Sequence, residues 1–350
     1  MIKNIKIGDK FIGENRQVFI IAEAGVNHNG DIRLAKKLID SAVKSGADAV
    51  KFQTFTTELL VTKRAEQAAY QSKNIGKVEP QYKMLKRLKL SRKAHYTLRD
   101  YCKKKKIIFL STPFSEPDAD FLETVGVPAF KTSSGDIDNL PFLKHLAKKG
   151  RPMIVSAGTS SLGEIKTAVK TIKKAGNKDL IILHCTSNYP ADAASLNLRA
   201  LKTLQAEFDG LVGYSDHSEG SMASLLAVAL GACVIEKHFT LDKNMAGPDH
   251  KASLNPAELK KFVKAIREAE IMLGSSEKKC VPEEADAKAL GRKSIVAKRD
   301  ILAGSVINAN DLIMKRPGSG LPALELEKVI GRTAKQDIKN DTIITWKMLK

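Results

Sequence analysis

The sequence predicts a (β/α)8 TIM barrel followed by a small β-rich domain. Three observations carry that reading. A unit made of a short β-branched run, a polar loop and a helix-period stretch recurs eight times between about residues 18 and 274, which matches the strand count and size of such a barrel. The strand-like runs are almost continuously apolar, as in a parallel sheet covered by helices. From about residue 291 the pattern changes to short strand-like pieces separated by Gly, Asn and Asp turns. A doubly wound open sheet is the alternative, but GxGxxG, the Gly-rich phosphate turn it usually carries after its first strand, is absent.

The eight strand-like runs are VFIIAE (18–23), DAVKFQ (48–53), IIFLST (107–112), PAFKTS (128–133), PMIVSA (152–157), LIILHC (180–185), LVGYSD (211–216) and CVIEKH (233–238). The helix after the first places Leu34, Leu38, Ile39 and Ala42 on one face and stops at Gly46. A second, LGEIKTAVKTIKKAG, stops at Gly176. The last, NPAELKKFVKAIREAEIMLG, opens on an Asn-Pro start signal and closes at Gly274. These elements divide the chain into a barrel (1–274), a polar, partly helical linker (275–290) and a β-rich tail (291–350). At about 60 residues, the tail is small for an independent core and is expected to pack on a barrel.

Of the 350 residues, 43% are hydrophobic and 28% charged, which excludes wholesale disorder. The longest weakly polar run, Ser221 to Ile235, is too short and too rich in Ala, Gly and Ser to cross a membrane. The N-terminus lacks the apolar stretch of a signal peptide, and the expectation is a cytoplasmic protein. Cys102, Cys185, Cys233 and Cys280 show no CxxC spacing and read as free thiols. The 58 basic and 39 acidic residues give a net charge of +19. With aromatics at 5% there are few rings on which bases could stack, so an anionic substrate and lysine-rich helix surfaces account for the charge better than nucleic acid.

In a barrel of this kind the active site lies at the C-terminal ends of the strands, and polar residues stand there in nearly every unit. Glu23 ends the first strand, Lys51 and Gln53 the second, Thr112 the third, and Lys131, Ser134 and Asp136 the fourth. Ser156 follows on the fifth, Ser187 and Tyr189 after the sixth, Ser215 and His217 on the seventh, and His238 on the eighth. A single lysine in an apolar strand usually snorkels or pairs with an acid. Two at one rim, Lys51 and Lys131, favour an anion site, with Thr112, Ser134, Ser156 and Ser215 completing a phosphate cradle. His217 and His238 end neighbouring strands. With a carboxylate such as Glu23 they suit a divalent metal with open positions; a hydrogen-bonded histidine pair without metal stands equally open.

AEAGVNHNG, KFQTF, STPF, SSGD-xx-NLP, HCTSNYP, GYSDHS, EKHFTLDK and GPDHKASL follow one another in order, and together they resemble the sialic acid synthase family of N-acetylneuraminate, legionaminate and pseudaminate synthases. The tail, with SIVAKRDI and KRPGSG, resembles the antifreeze-like (SAF) domain that closes these enzymes. The resemblance covers nearly the whole chain. It implies condensation of phosphoenolpyruvate (PEP) with an N-acylated mannosamine-type sugar and water, giving a nine-carbon 2-keto acid and phosphate. It also implies a divalent metal on His217 and His238, Mn2+ foremost with Mg2+ or Co2+ possible. PEP would lie on Lys51, Thr112, Lys131, Ser134, Ser156, Ser187 and Ser215. Glu23 and Asp136 would be the catalytic carboxylates, and Gln53, Asn74, Tyr189, Asp249 and Arg316 would hold the sugar. The family further implies a domain-swapped homodimer in which Arg316 serves the partner's barrel.

The chain departs from the family pattern at Asp136, where many members carry Glu, and at Ser187, where many bacterial members carry Asn or Thr. N-acetylneuraminate synthase, acting on N-acetylmannosamine, is the first expectation. AAYQSKNIG, QYKMLKRLKLS and GPDHKASL favour the second, an N,N'-diacetyllegionaminate synthase using 2,4-diacetamido-2,4,6-trideoxymannose. Two further alternatives are another PEP-dependent 3-deoxy-sugar-acid synthase, which would want extra basic residues for a sugar phosphate, and a non-enzymatic carbohydrate-binding protein on the same scaffold.

Overall fold

The computed structural model describes residues 4–208 and 210–350. The chain divides into two compact units, one ending at Gly274 and the other beginning at Ser275. The first opens with an antiparallel hairpin, β1 (Asn4–Ile7) and β2 (Lys10–Gly13), turning at Gly8, whose φ of +62° suits glycine. Eight parallel strands follow: β3 (Phe19–Gly25), β4 (Ala49–Thr54), β5 (Ile108–Pro113), β6 (Phe130–Thr132), β7 (Met153–Ser156), β8 (Leu180–Cys185), β9 (Leu211–Asp216) and β10 (Val234–His238). The last strand pairs with the first, Val234 opposite Phe19 and His238 opposite Glu23. β5 and β6 lie side by side without a regular ladder and complete the ring. This is a TIM-like barrel.

The helices form where local chemistry starts and stops them. The Asp31 carboxylate accepts from Arg33 N at the start of helix Ile32–Ser45, and Gly46, left-handed at φ +81°, ends it. Its buried face carries the expected Leu38, Ile39 and Ala42, with Ala35 buried where Leu34 was expected and Leu34 half-buried at the edge. Reciprocal caps open helix Leu162–Lys174 (Ser161 with Glu164) and helix Pro256–Leu273 (Asn255 with Glu258). The longest connection, between β4 and β5, carries three short helices ahead of the expected one: Thr57–Leu60, Ala69–Ile75 and Gln81–Leu88.

Alternation sorts the strand residues. Ile20, Ala22, Val50 and Phe52 pack outward against the helices. Phe19, Ile21, Ala49, Leu110, Ile154, Ile181, Leu183 and Val234 fill the interior with Ile5, Ile7 and Ile12 of the hairpin, which closes the N-terminal end. The hairpin went unrecognised in the sequence, although IKIGDKFIG shows an apolar alternation interrupted by a Gly-Asp turn.

The second unit has one ladder, β11 (Ser294–Ala297) against β12 (Leu312–Lys315). The other expected strand-like pieces are held by single bridges, such as Val296 to Ile343 and Ile301 to Ile338, because turns follow one another too closely for longer pairing. Ile295, Ile307, Val329, Ile338 and Ile344 form its core. The polar stretch expected as a linker groups with this unit and ends in helix Ala285–Gly291. The four cysteines are free. Among the described residues no helix is long and apolar enough to cross a membrane.

Candidate active site

Inward positions run 19, 21, 23 on β3 and 49, 51, 53 on β4, and every barrel strand repeats the parity. Strand alternation therefore aims Glu23, Lys51, Gln53, Thr112, Lys131, Ser156, Ser215 and His238 into one cavity of about 710 Å3, which Ser134, Ser187, Tyr189 and His217 also line. A larger groove of about 820 Å3, against helix Met222–Ala229, is lined mainly by apolar side chains and lacks this convergence of ionisable groups.

The floor of the cavity is an ion network. Lys51 Nζ lies 2.8 Å from Glu23 Oε2 and 3.7 Å from Glu236 Oε2, and it donates to Thr112 Oγ1 at 3.0 Å. Lys131 Nζ donates to Ser156 Oγ at 2.6 Å and lies 3.7 Å from Glu236 Oε1, which also accepts from Ser215 Oγ at 3.1 Å. Glu236 thus bridges the two lysines. It was not among the expected site residues, although a charge in an apolar strand, two positions before His238 and so on the same face, was the signal available.

Burial raises the Glu23 carboxyl well above its ordinary range, and Lys51 only partly offsets this. Burial also pushes Glu236 up, but Lys131 and Lys51 together outweigh it and hold that carboxyl low. Two neighbouring carboxyls are thereby separated in acidity, one a fixed anion and the other able to hold or release a proton. Burial lowers Lys131.

Two serine hydroxyls line the same cavity as this network. Ser134 follows β6 in the short turn Ser134–Asp136, and its Oγ accepts from Gly158 N at 3.2 Å. A Cβ at Gly158 would collide with both the Ser134 and Ser187 hydroxyls, so glycine there lets the two side chains converge. Together with Lys131 and Ser156 they suit an anion.

The two histidines lie with ring centroids 5.6 Å apart. Burial holds His217 down at about 4 and His238 well below the ordinary value, so both are neutral. His217 Nδ1–H donates to the Thr186 carbonyl at 2.9 Å, which leaves the Nε2 lone pair free to accept from the Tyr189 hydroxyl at 3.1 Å. Among the described residues His238 Nδ1 is buried without a hydrogen-bond partner. Neutral imidazoles, one with its tautomer set by a backbone carbonyl, fit a divalent metal. Among the described residues no group of three or more His, Cys, Asp or Glu could hold a metal ion, so a metal here would need ligands from substrate or solvent.

Four expected residues do not line the cavity. Asp136 ends the Ser134–Asp136 turn outside the cavity lining, and burial raises its carboxyl to about 6. Asn74 Nδ2 donates to the Pro248 carbonyl at 2.6 Å and ties helix Ala69–Ile75 to the loop after β10. Asp249, in that loop, is buried and raised to about 6. Arg316 belongs to the second unit, where its Nε donates to the Gly291 carbonyl at 3.1 Å. Conversely, Ala68, Tyr70, Gln71, Gln81 and Phe114 line the cavity unexpectedly. Apart from Phe114 they come from the long β4–β5 connection, where no periodicity marks an inward face.

The comparisons with known proteins point the same way as the geometry. Residues 38–278 match the NeuB family and residues 292–350 the SAF domain. The chain belongs to the NeuB family. It is 47% identical over 355 residues, spanning all of both chains, to an N,N'-diacetyllegionaminic acid synthase of Legionella pneumophila. It is also 47% identical to an N,N'-diacetyllegionaminic acid synthase of Campylobacter jejuni, over 94% of this chain and 99% of that one. The crystal structure of an N-acetylneuraminic acid synthetase from Leptospira borgpetersenii, 37% identical, superposes with a TM-score of 0.73 and covers 82% of this chain and 95% of that one. The NeuB chain described here is accordingly an enzyme, a transferase of the PEP-dependent sugar-acid synthase kind.

Proposed function

We propose that the protein is an N,N'-diacetyllegionaminate synthase, condensing PEP with 2,4-diacetamido-2,4,6-trideoxymannose and water to give the nine-carbon 2-keto acid and phosphate. N-acetylneuraminate synthesis, the first expectation from the sequence, becomes the second reading. The observation that carries this order is the 47% identity, across essentially full chains, to two proteins named for the legionaminic acid reaction, against 37% to the N-acetylneuraminic acid synthetase.

The residues present suit each step. Lys131, Ser156, Ser134 and Ser187 bind the PEP phosphate, and Lys51 with Thr112 holds its carboxylate end. Gln53 and Tyr189 face the sugar. C3 of PEP attacks the aldehyde carbon, whose oxygen takes up a proton and becomes a hydroxyl, and positive charge is left at C2. Glu236, a fixed anion, and Glu23 stabilise that charge, and Glu23 takes a proton from the water that adds to C2. The C2 hydroxyl then gives up its proton as the keto group forms, and the tetrahedral centre expels phosphate by breaking the C–O bond, so a heavy-oxygen label in the bridging position of PEP should emerge in inorganic phosphate.

His217 and His238 would hold a divalent ion, Mn2+ foremost, which when bound polarises the aldehyde as a Lewis acid. Arg316, from the partner of a swapped homodimer, completes sugar binding, whereas Asn74 and Asp249, which do not line the cavity, would act through the loop after β10 that Asn74 ties down. Mixing Arg316→Ala with Glu23→Gln subunits should then restore activity that neither has alone; exchanged mixtures that stay inactive would refute the swap. The main test offers PEP, Mn2+ and a panel of N-acylated aldoses to the purified protein and follows phosphate release and product mass. The diacetamido-trideoxy sugar should exceed N-acetylmannosamine in kcat/KM by at least about tenfold. The reverse order would overturn the assignment, and undiminished turnover in excess EDTA would remove the metal.

A further inference from the structure

One side of the cavity carries rings stacked in a column. Tyr189 lies over His217 with centroids 4.1 Å apart and planes at 28°. On its other side Tyr70 stacks at 5.1 Å, again at 28°. His238 meets Tyr189 edge-on at 5.6 Å. The Tyr70 hydroxyl accepts from Gln71 Nε2 at 3.3 Å, a bond outside the column, so Tyr70 acts on Tyr189 through its ring. Tyr70 stands in helix Ala69–Ile75, in which no residue is fully buried. That helix lines the cavity with Tyr70 and Gln71 and is held by the Asn74 bond to Pro248 and by the Tyr70 stack.

We propose that Tyr70 is a positioning residue for the condensation: by closing the outer face of Tyr189, its ring holds Tyr189 flat on His217 and fixes the direction of the His217 Nε2 lone pair. A Tyr189 ring with one free face can tilt and free the His217 ring stacked beneath it; the stack carries the effect, because an ion on Nε2 would displace the Tyr189 hydroxyl from that nitrogen. The sequence offers no hint of this, because Tyr70, Tyr189 and His217 come from three separate strand-to-strand connections, Tyr70 from a short helix within the first. The consequence for metal binding rests on the proposed role of His217, whereas the ring stack does not.

The test uses the full-length protein, labelled on histidine, and two readouts. In the metal-free protein, the Cε1–Hε1 resonance of His217, assigned by its loss in His217→Asn, reports the ring above it. Tyr70→Ala should move this resonance, Tyr70→Phe should leave it in place because the ring remains, and Gln71→Ala should also leave it. Mn2+ is then titrated with detection of the free ion by electron paramagnetic resonance. Tyr70→Ala should weaken Mn2+ binding by about tenfold and lower kcat more than it raises KM for PEP, and Tyr70→Phe should restore both. A His217 resonance unmoved by Tyr70→Ala overturns the positioning role. A moved resonance with wild-type Mn2+ affinity overturns its transmission to the ion. If the wild-type protein itself takes up no Mn2+, the metal reading fails separately, and the resonance still decides whether Tyr70 sets His217.

Discussion

The two halves of the barrel interior are built from the same eight strands and differ in chemistry. Toward the N-terminal end the inward positions are Phe19, Ile21, Ala49, Leu110, Ile154, Ile181 and Val234, sealed by Ile5, Ile7 and Ile12. One step further along the same strands stand Glu23, Lys51, Thr112, Ser156 and Glu236. On β3 the change falls between Ile21 and Glu23, on β7 between Ile154 and Ser156, and on β10 between Val234 and Glu236. The lower half stabilises the fold by removing apolar surface from water. The upper half spends part of that stability to keep charges buried and paired around a cavity. A substitution should therefore report which half it falls in by whether it costs stability or turnover.

Removing Lys131 should give the largest effect. Lys131→Met keeps the volume but deletes the cation facing Ser156 and Glu236. The expected outcome is a loss in kcat/KM for PEP of about a thousandfold, measured by phosphate release, with the folded structure retained by circular dichroism. In the lower half, Ile181→Ala empties a fully buried position. It should cost about 2–5 kcal/mol in urea unfolding and leave kcat close to wild type. If both variants lose activity alike, the division between the halves fails.

The cost of upper-end polarity is visible at Asp249, raised to about 6 by burial. Its unfolded value is lower, so between about pH 4 and 6 the folded chain binds the proton more tightly than the unfolded one. Stability should therefore fall as pH rises through that window, by up to about 3 kcal/mol, and stay low above it. Asp249→Asn should flatten that segment of the curve, as seen by urea unfolding at acidic and neutral pH. The smallest effect concerns the boundary itself. A Cβ at Gly213, below Ser215 on β9, would come within 2.6 Å of the Leu183 side chain and the Val234 carbonyl. Gly213→Ala should cost about 1–3 kcal/mol by overpacking, with a smaller loss of activity than Lys131→Met.

Much of this was legible in one dimension. Alternation and turn chemistry are local, so eight strands, the helix start at Asn255 and the polar residues at the strand ends can be read from neighbours a few positions apart. The tertiary structure decided what depends on closure. Glu236 sits between Lys51 and Lys131 because the last strand docks on the first and brings residues 185 positions apart within 3.7 Å. Asp136, one of a cluster of polar residues at the end of β6, falls outside the cavity lining although its turn neighbours Ser134 and Gly135 belong to it. Tyr70 reaches Tyr189 through a connection whose composition marks no face. Strand parity says which side of its own strand a residue faces; which other residues share that side is set by register and ring closure, and those are long-range.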